Sequence, residues 1–182
     1  MEKQDLRIRK TKRAIYHAFS ELIKEKTLDK ITVTALASRA EINKATFYLH
    51  YRDIYDLYQD ALQEHLKEVA QKISFMDLFF SDIEAFAKKL VHASTSRSIF
   101  ENDAFLSKEN APYNQGAMLY FCNILTDIIL NLGQIENTEE NKMKLQFIFS
   151  GIGTLFRFDT NSNPDVMISI LVSACRSQFA NL

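Results

Sequence analysis

Tryptophan is absent from this chain, and proline (2) and glycine (4) are rare among its 182 residues. With so few breakers between long stretches of three- and four-residue apolar spacing, a turn-rich β architecture is excluded and an all-α fold is expected. Cysteine is equally scarce. Cys122 and Cys175 each lie in an apolar helical stretch, which excludes a disulfide scaffold. They read as buried free thiols of a reducing compartment, with a redox-sensing pair as the alternative. Metal-ligand spacing is missing as well: His17, His50, His65 and His92 are scattered, without a His-Glu-x-x-His or Cys-x-x-Cys pattern. There is no glycine-rich phosphate loop and no nucleophile elbow, so no cofactor, no metal and no enzymatic activity are expected. The most apolar stretch, residues 118–132, is interrupted by Asn123, Thr126, Asp127 and Asn131 and is too short and polar to cross a bilayer. The charged N-terminus does not read as a signal peptide, so a cytoplasmic location without membrane association is expected.

What the chain does hold is a 47% hydrophobic, 25% charged composition, that of a globular protein with ample core. The net charge of −1 conceals an asymmetry. Residues 1–52 carry 12 Lys and Arg against 6 Asp and Glu; residues 53–182 carry 10 against 17. The N-terminal third is therefore basic, as a phosphate-binding face should be, and the remainder acidic. Lys3, Arg7, Arg9, Lys10, Lys12 and Arg13 form a basic lead-in suited to phosphate contacts and expected to be only partly ordered without them. Ile15, Ala18, Phe19, Leu22 and Ile23 then mark the apolar stripe of a first helix, and Leu28 and Ile31 read as plugs in the following link.

Residues 32–52 read T-V-T-A-L-A-S-R-A-E-I-N-K-A-T-F-Y-L-H-Y-R. Thr32 can cap a short helix striped by Val33, Leu36, Ala37 and Ala40. The pattern breaks at Glu41 and Ile42, and Asn43 caps a second helix running from Lys44 to His50. In it Phe47 and Tyr51 share an inward face, while Lys44, Ala45, Thr46, Tyr48 and His50 point outward. Two short helices of this kind make a helix-turn-helix, with an ordinary helical hairpin as the plainer alternative.

The same residues, above all the Thr46-Phe47-Tyr48 run with aromatic Tyr51 and basic Arg52, resemble the signature of the TetR/AcrR family of transcriptional regulators. The resemblance covers about residues 8–60. It implies a three-helix DNA-binding domain over residues 1–52 and a ligand-binding and dimerisation domain over 53–182. It further implies a regulator, most often a repressor, that binds a palindromic DNA operator as a homodimer and is released by a small molecule. Thr32, Thr34, Asn43, Lys44, Ala45, Thr46, Tyr48, His50 and Arg52 are the expected DNA-binding residues. The sequence departs from the family where a turn glycine is usual and Glu41 stands instead. Either the turn avoids the left-handed conformation or its surroundings tolerate the strain.

Beyond Arg52, Asp53 caps a long amphipathic helix to about Ile73, striped by Ile54, Leu57, Tyr58, Ala61, Leu62, Leu66, Val69 and Ile73. Further helices are expected over 76–94, 97–106, 114–132, 138–158 and 164–180, with loops at 107–113 and 159–164 and a C-cap at Gly133. In the helix from 138, Leu145, Ile148, Ile152 and Leu155 lie on one side and Phe149 and Phe156 on another. The last helix is apolar on two faces, Met167, Ile170, Leu171 and Ala174 on one and Ile168, Val172, Cys175 and Phe179 on the other, so it needs two partners. The second is either the interior of the same chain or another subunit. The resemblance favours a homodimer through the last two helices, with Ser150, Gly151 and Gly153 allowing close approach. Fourteen Phe and seven Tyr are a heavy aromatic load. Phe79, Phe86, Phe100, Phe105, Tyr113, Tyr120, Phe121 and Phe147 read either as ordinary core or, following the resemblance, as the lining of a cavity for an apolar ligand. Two alternatives stay open: a helical interaction module whose basic N-terminus docks a protein partner, and a ligand-independent regulator or activator.

Overall fold

A computed structural model of the chain describes residues 2–95, 103–158 and 163–179, and side chains within 6–93, 103–154 and 163–179. The fold is all-α; among the described residues there is no strand. By contacts the chain divides into two compact units. One comprises Met1–His65 with Asn102–Gln115, the other Leu66–Glu101 with Gly116–Leu182.

The first unit begins with α1 (Glu2–Glu25). The basic lead-in is the first half of this helix rather than a separate arm. Its stripe behaves as its spacing requires: Ile15, Ala18, Phe19, Leu22 and Ile23 are all buried, and so are the plugs Leu28 and Ile31. A single 3-10 turn, Leu28–Lys30, leads to α2 (Val33–Arg39) and α3 (Lys44–Tyr48). Thr32 caps α2, its hydroxyl oxygen accepting the Ala35 N–H at 3.2 Å. Asn43 caps α3 by accepting the Ala45 N–H at 3.0 Å. Helical geometry stops at Tyr48, two residues earlier than His50, although the Leu49 backbone is still right-handed.

The turn between α2 and α3 settles the question raised by Glu41. The Ile42 N–H bonds the Ala37 carbonyl at 3.0 Å and the Glu41 N–H bonds that of Ser38 at 3.3 Å. These two bonds define a Schellman C-cap, whose first residue past the helix must be left-handed. Glu41 is that residue, at φ 53°. A Cβ in this region costs about 1–2 kcal/mol, and part of that strain is offset because glycine is more flexible when unfolded. Glu41→Gly is therefore expected to stabilise the protein by about 0.5–1 kcal/mol, seen as a higher urea midpoint at unchanged slope. A midpoint equal to or below wild type would show that the exposed glutamate contributes more than its strain removes.

The helix α4 (Ile54–Gln71) starts at a double cap. Asp53 accepts the Asp56 N–H at 2.8 Å, and Asp56 accepts the Arg52 N–H at 3.0 Å. Its expected stripe is buried from Ile54 to Val69, but the helix ends at Gln71, so Ile73 lies past it and is only half-buried. The remainder of this unit comes from far along the chain. Expected as a loop, residues 107–113 instead contain a 3-10 helix, Lys108–Tyr113, with Pro112 inside it. Phe105 lies within 5.9 Å of Phe19, 6.1 Å of Tyr58 and 4.5 Å of His65, measured between ring centres. Its carbonyl accepts the Tyr58 hydroxyl at 2.7 Å, and burial pushes that phenol up to about 12. Buried Asn110 accepts the Leu28 N–H at 3.2 Å and donates to the Ala104 carbonyl at 2.9 Å. His65 pairs with Asp103 at 2.5 Å. The expected helix over 97–106 falls partly outside the described residues; Asp103 onward is a turn, in which the Asp103 carboxylate takes the N–H groups of Phe105 and Leu106.

In the second unit the single helix expected over 76–94 is broken into α5 (Leu78–Ser81) and α6 (Ile83–Thr95). Asp82 is extended between them (φ −156°, ψ 87°) and accepts the Ala85 N–H at 2.9 Å, so it restarts the helix as its cap. Next come α7 (Ala117–Asn131), α8 (Glu139–Phe158) and α9 (Pro164–Gln178). Gly133 is left-handed at φ 72° after α7, and Thr138 caps α8. Asn163 caps α9 with Pro164 at its first position. The expected loop at 159–164 lies mostly outside the described residues, as do the side chains of Leu155 and Phe156.

Leu145, Ile148, Phe149 and Ile152 on α8 are buried, as are Met167, Leu171, Val172, Cys175 and Phe179 on α9. Phe79 packs edge-on against Phe86 (5.4 Å) and Phe179 (5.9 Å). Burial pushes the Cys122 thiol up to about 11 and that of Cys175 to about 12, so both are protonated at neutral pH. Gly153 was expected to serve a subunit contact, but it faces α7: a Cβ there would lie 3.0 Å from Met118 and 3.3 Å from Cys122. Gly151 faces open space. Several apolar side chains remain outside: Met143 is 62% and Phe147 73% exposed on α8, and Val166 and Ile170 are exposed on α9.

Candidate nucleic-acid interface

The helix α3 is held from behind and free in front. Phe47 and Tyr51 are buried on its inner side, their rings 5.8 Å apart. The Tyr51 hydroxyl donates to Asp60 on α4 at 2.6 Å, and Lys12 on α1 pairs with the same carboxylate at 3.2 Å while sitting 5.2 Å over the Tyr51 ring. Burial, with the Asp60 carboxylate beside it, pushes the Tyr51 phenol far above its ordinary value, so it stays a donor. Arg39 at the end of α2 forks onto Glu25 of α1 at 2.6 and 3.0 Å and reaches Glu21 at 3.7 Å. Glu25 is correspondingly held below the usual carboxylate range. These pairs fix the orientation of α2 and α3 on α1 and take Arg39 out of the set of free cations.

The expected contact residues occupy the other side. Thr32, Thr34, Lys44, Ala45, Tyr48 and Arg52 are exposed, and Thr46 and His50 half-buried. Two have additional duties. The Asn43 side-chain oxygen is committed to capping α3. Arg52 reaches Asp56 at 3.4 Å, and the Arg52 N–H and guanidinium hold that carboxyl low. The small Ala45 leaves the front of α3 open, and Lys44 lies at its start. One exposed residue of this surface was not on the expected list: Leu49, 81% exposed next to Tyr48 at 59%. A helical wheel with Phe47 and Tyr51 inside would have located it.

The expected cavity-lining residues are distributed over the two units. Phe105 and Tyr113 belong to the first unit, whereas Phe79, Phe86, Tyr120, Phe121 and Phe147 belong to the second. Phe147 is on the surface, because the inward rows of α8 are supplied by Leu145, Ile148, Phe149 and Ile152. Phe79, Phe86 and Phe105 are buried against other rings, and Phe100 lies outside the described residues. Among the described residues no group of three or more His, Cys, Asp or Glu could hold a metal, and no helix is long and apolar enough to cross a membrane.

Comparison with known proteins agrees with this geometry. Residues 15–61 match the family model of the bacterial regulatory proteins, tetR family. No curated protein matches the sequence. Among solved structures, a TetR transcriptional regulator from Rhodococcus sp. RHA1 aligns over 100% of this chain and 99% of its own, at 17% identity and a TM-score of 0.52. RolR, solved without ligand, aligns over 91% of this chain and 94% of its own, at 14% identity and a TM-score of 0.51. At such identities the likeness is one of fold. The matched segment contains the last 11 residues of α1, all of α2 and α3, and the start of α4, with the caps and the exposed front of α3 in place. Residues 15–61 thus carry the N-terminal domain of the tetR family of bacterial regulatory proteins, which are DNA-binding transcription regulators.

Proposed function

We propose that this regulator is a repressor that binds a palindromic operator as a homodimer, with α3 of each subunit in the major groove. The observation that carries the proposal is the exposed front of α3, with Lys44, Ala45, Thr46 and Tyr48 on a helix anchored from behind by Phe47 and Tyr51. Lys44 and Arg52 supply phosphate or base-edge contacts, His50 and Tyr48 phosphate contacts, and Thr32 and Thr34 bond the backbone at the start of α2. The exposed apolar side chains Met143 and Phe147 on α8 and Val166 and Ile170 on α9 support a subunit contact through these two helices. A two-fold axis there sets two half-sites about one helical turn, 34–36 Å, apart. The aromatic residues of the second unit, among them Phe79, Phe86 and Phe121, support an apolar effector acting there. Such a ligand weakens DNA binding by as much as it favours the incompatible state, typically about 1–3 kcal/mol.

The test is selection of binding sites from random duplex DNA by the full chain, followed by titration across a salt series. A palindromic consensus, bound with a steep inverse salt dependence and lost in Tyr48→Ala and Lys44→Ala, is the expected result. A selection that enriches nothing would overturn the proposal and leave the basic N-terminus as a surface for a protein partner.

A further inference from the structure

A lone exposed leucine is unremarkable on a protein surface; what matters is where Leu49 stands. At 100° per residue, Leu49 lies about 180° from the midpoint of the buried Phe47 and Tyr51. Its φ of −72° and ψ of −19° keep it on the helical path, and its N–H bonds the Ala45 carbonyl at 3.2 Å. At the end of α3 it is thus the residue that points most directly away from the buried Phe47 and Tyr51. Ala45, one turn earlier on the same side, presents only a methyl group. Around them stand the exposed Lys44, Tyr48 and Arg52. Cations flanking an outward apolar tip suit a polyanion that also offers an apolar group, and a leucine can neither donate to a phosphate nor accept from a base amine.

In the major groove the thymine C5-methyl is the apolar group that distinguishes one base from the other three. We propose that Leu49 is a specificity-determining residue that packs on a thymine methyl, so that each operator half-site carries a T·A pair beneath the end of α3. This rests on the DNA-binding reading above and adds to it a reader and a base.

The experiment uses the full chain and its selected operator, with each thymine of a half-site replaced in turn by deoxyuridine, which removes only the methyl. In the wild type, one position per half-site should lose affinity by roughly fourfold, the worth of one buried methyl group. In Leu49→Ala that position should become indifferent to the replacement, while Leu49→Met should retain the sensitivity. Leu49 is exposed, so both variants should unfold at the wild-type urea midpoint. A flat deoxyuridine scan, or a sensitivity that persists in Leu49→Ala and disappears in Thr46→Val, would overturn the assignment while leaving operator binding intact. A protein that selects no operator would overturn both this inference and the proposed function.

Discussion

Phe147→Glu is expected to convert the protein into a folded monomer that no longer holds its operator at nanomolar concentration. The ring is 73% exposed beside Met143, one turn before Gly151, where added bulk would meet nothing within the subunit. A phenylalanine moved from water into an interface contributes about 1.5–3 kcal/mol, and a two-fold interface contains it twice. Losing both copies therefore weakens the dimer by about 3–6 kcal/mol, at least a hundredfold, before the carboxylates themselves are counted. Because the ring makes little contact within its own chain, helicity and the unfolding of the subunit should be unchanged. Sedimentation equilibrium over a concentration series reads the first effect and circular dichroism the second. A variant that sediments as a dimer at wild-type strength would place the subunit contact elsewhere.

Phe105→Ala should be strongly destabilising. The side chain is 3% exposed, stacks on Tyr58 and His65 and meets Phe19 edge-on. Removing a buried phenylalanine typically costs about 3–5 kcal/mol. With a urea slope of about 1–3 kcal/mol/M, the midpoint should fall by more than about 1 M. The location of the damage is as informative as its size. Native-state hydrogen exchange should show protection lost in α1, α2 and the first half of α4, with α8 and α9 keeping theirs. Loss confined to α8 and α9, or a cost below about 1 kcal/mol, would contradict the assignment of this segment to the first unit's core.

The legible parts of this fold were those governed by local rules. The stripe from Ile15 to Ile23, the caps at Thr32, Asn43, Asp53 and Thr138, Pro164 at the start of α9 and the left-handed Gly133 all follow from neighbours within a turn or two. The family signature lies in the same kind of segment. The break at Asp82 was hidden because Phe79, Ile83 and Phe86 continue the apolar spacing across it, while an aspartate cap interrupts the backbone beneath an uninterrupted pattern. Pro112 suggested a loop, yet a 3-10 turn tolerates a residue without an N–H. Phe105 and Phe147 look alike in a sequence, and only tertiary contacts separate a ring wedged against Phe19 from one facing water. Leu49 is missing from the expected contacts for a different reason: an apolar side chain suggests the interior, although the helical wheel turns this one outward.

The segment that carries Phe105 and Asn110 also bears on how the protein is made. The first 65 residues leave the ribosome without the ring that fills the space beside Phe19 and Tyr58, and without the amide oxygen that receives the Leu28 N–H. Those groups arrive about 40–50 residues later, which at bacterial elongation rates of about 5–20 residues per second is a delay of several seconds. The N-terminal unit thus cannot complete its core first, as N-terminal domains usually do. It has to wait for the middle of the chain, and during that interval its incomplete helices are substrates for chaperones and proteases.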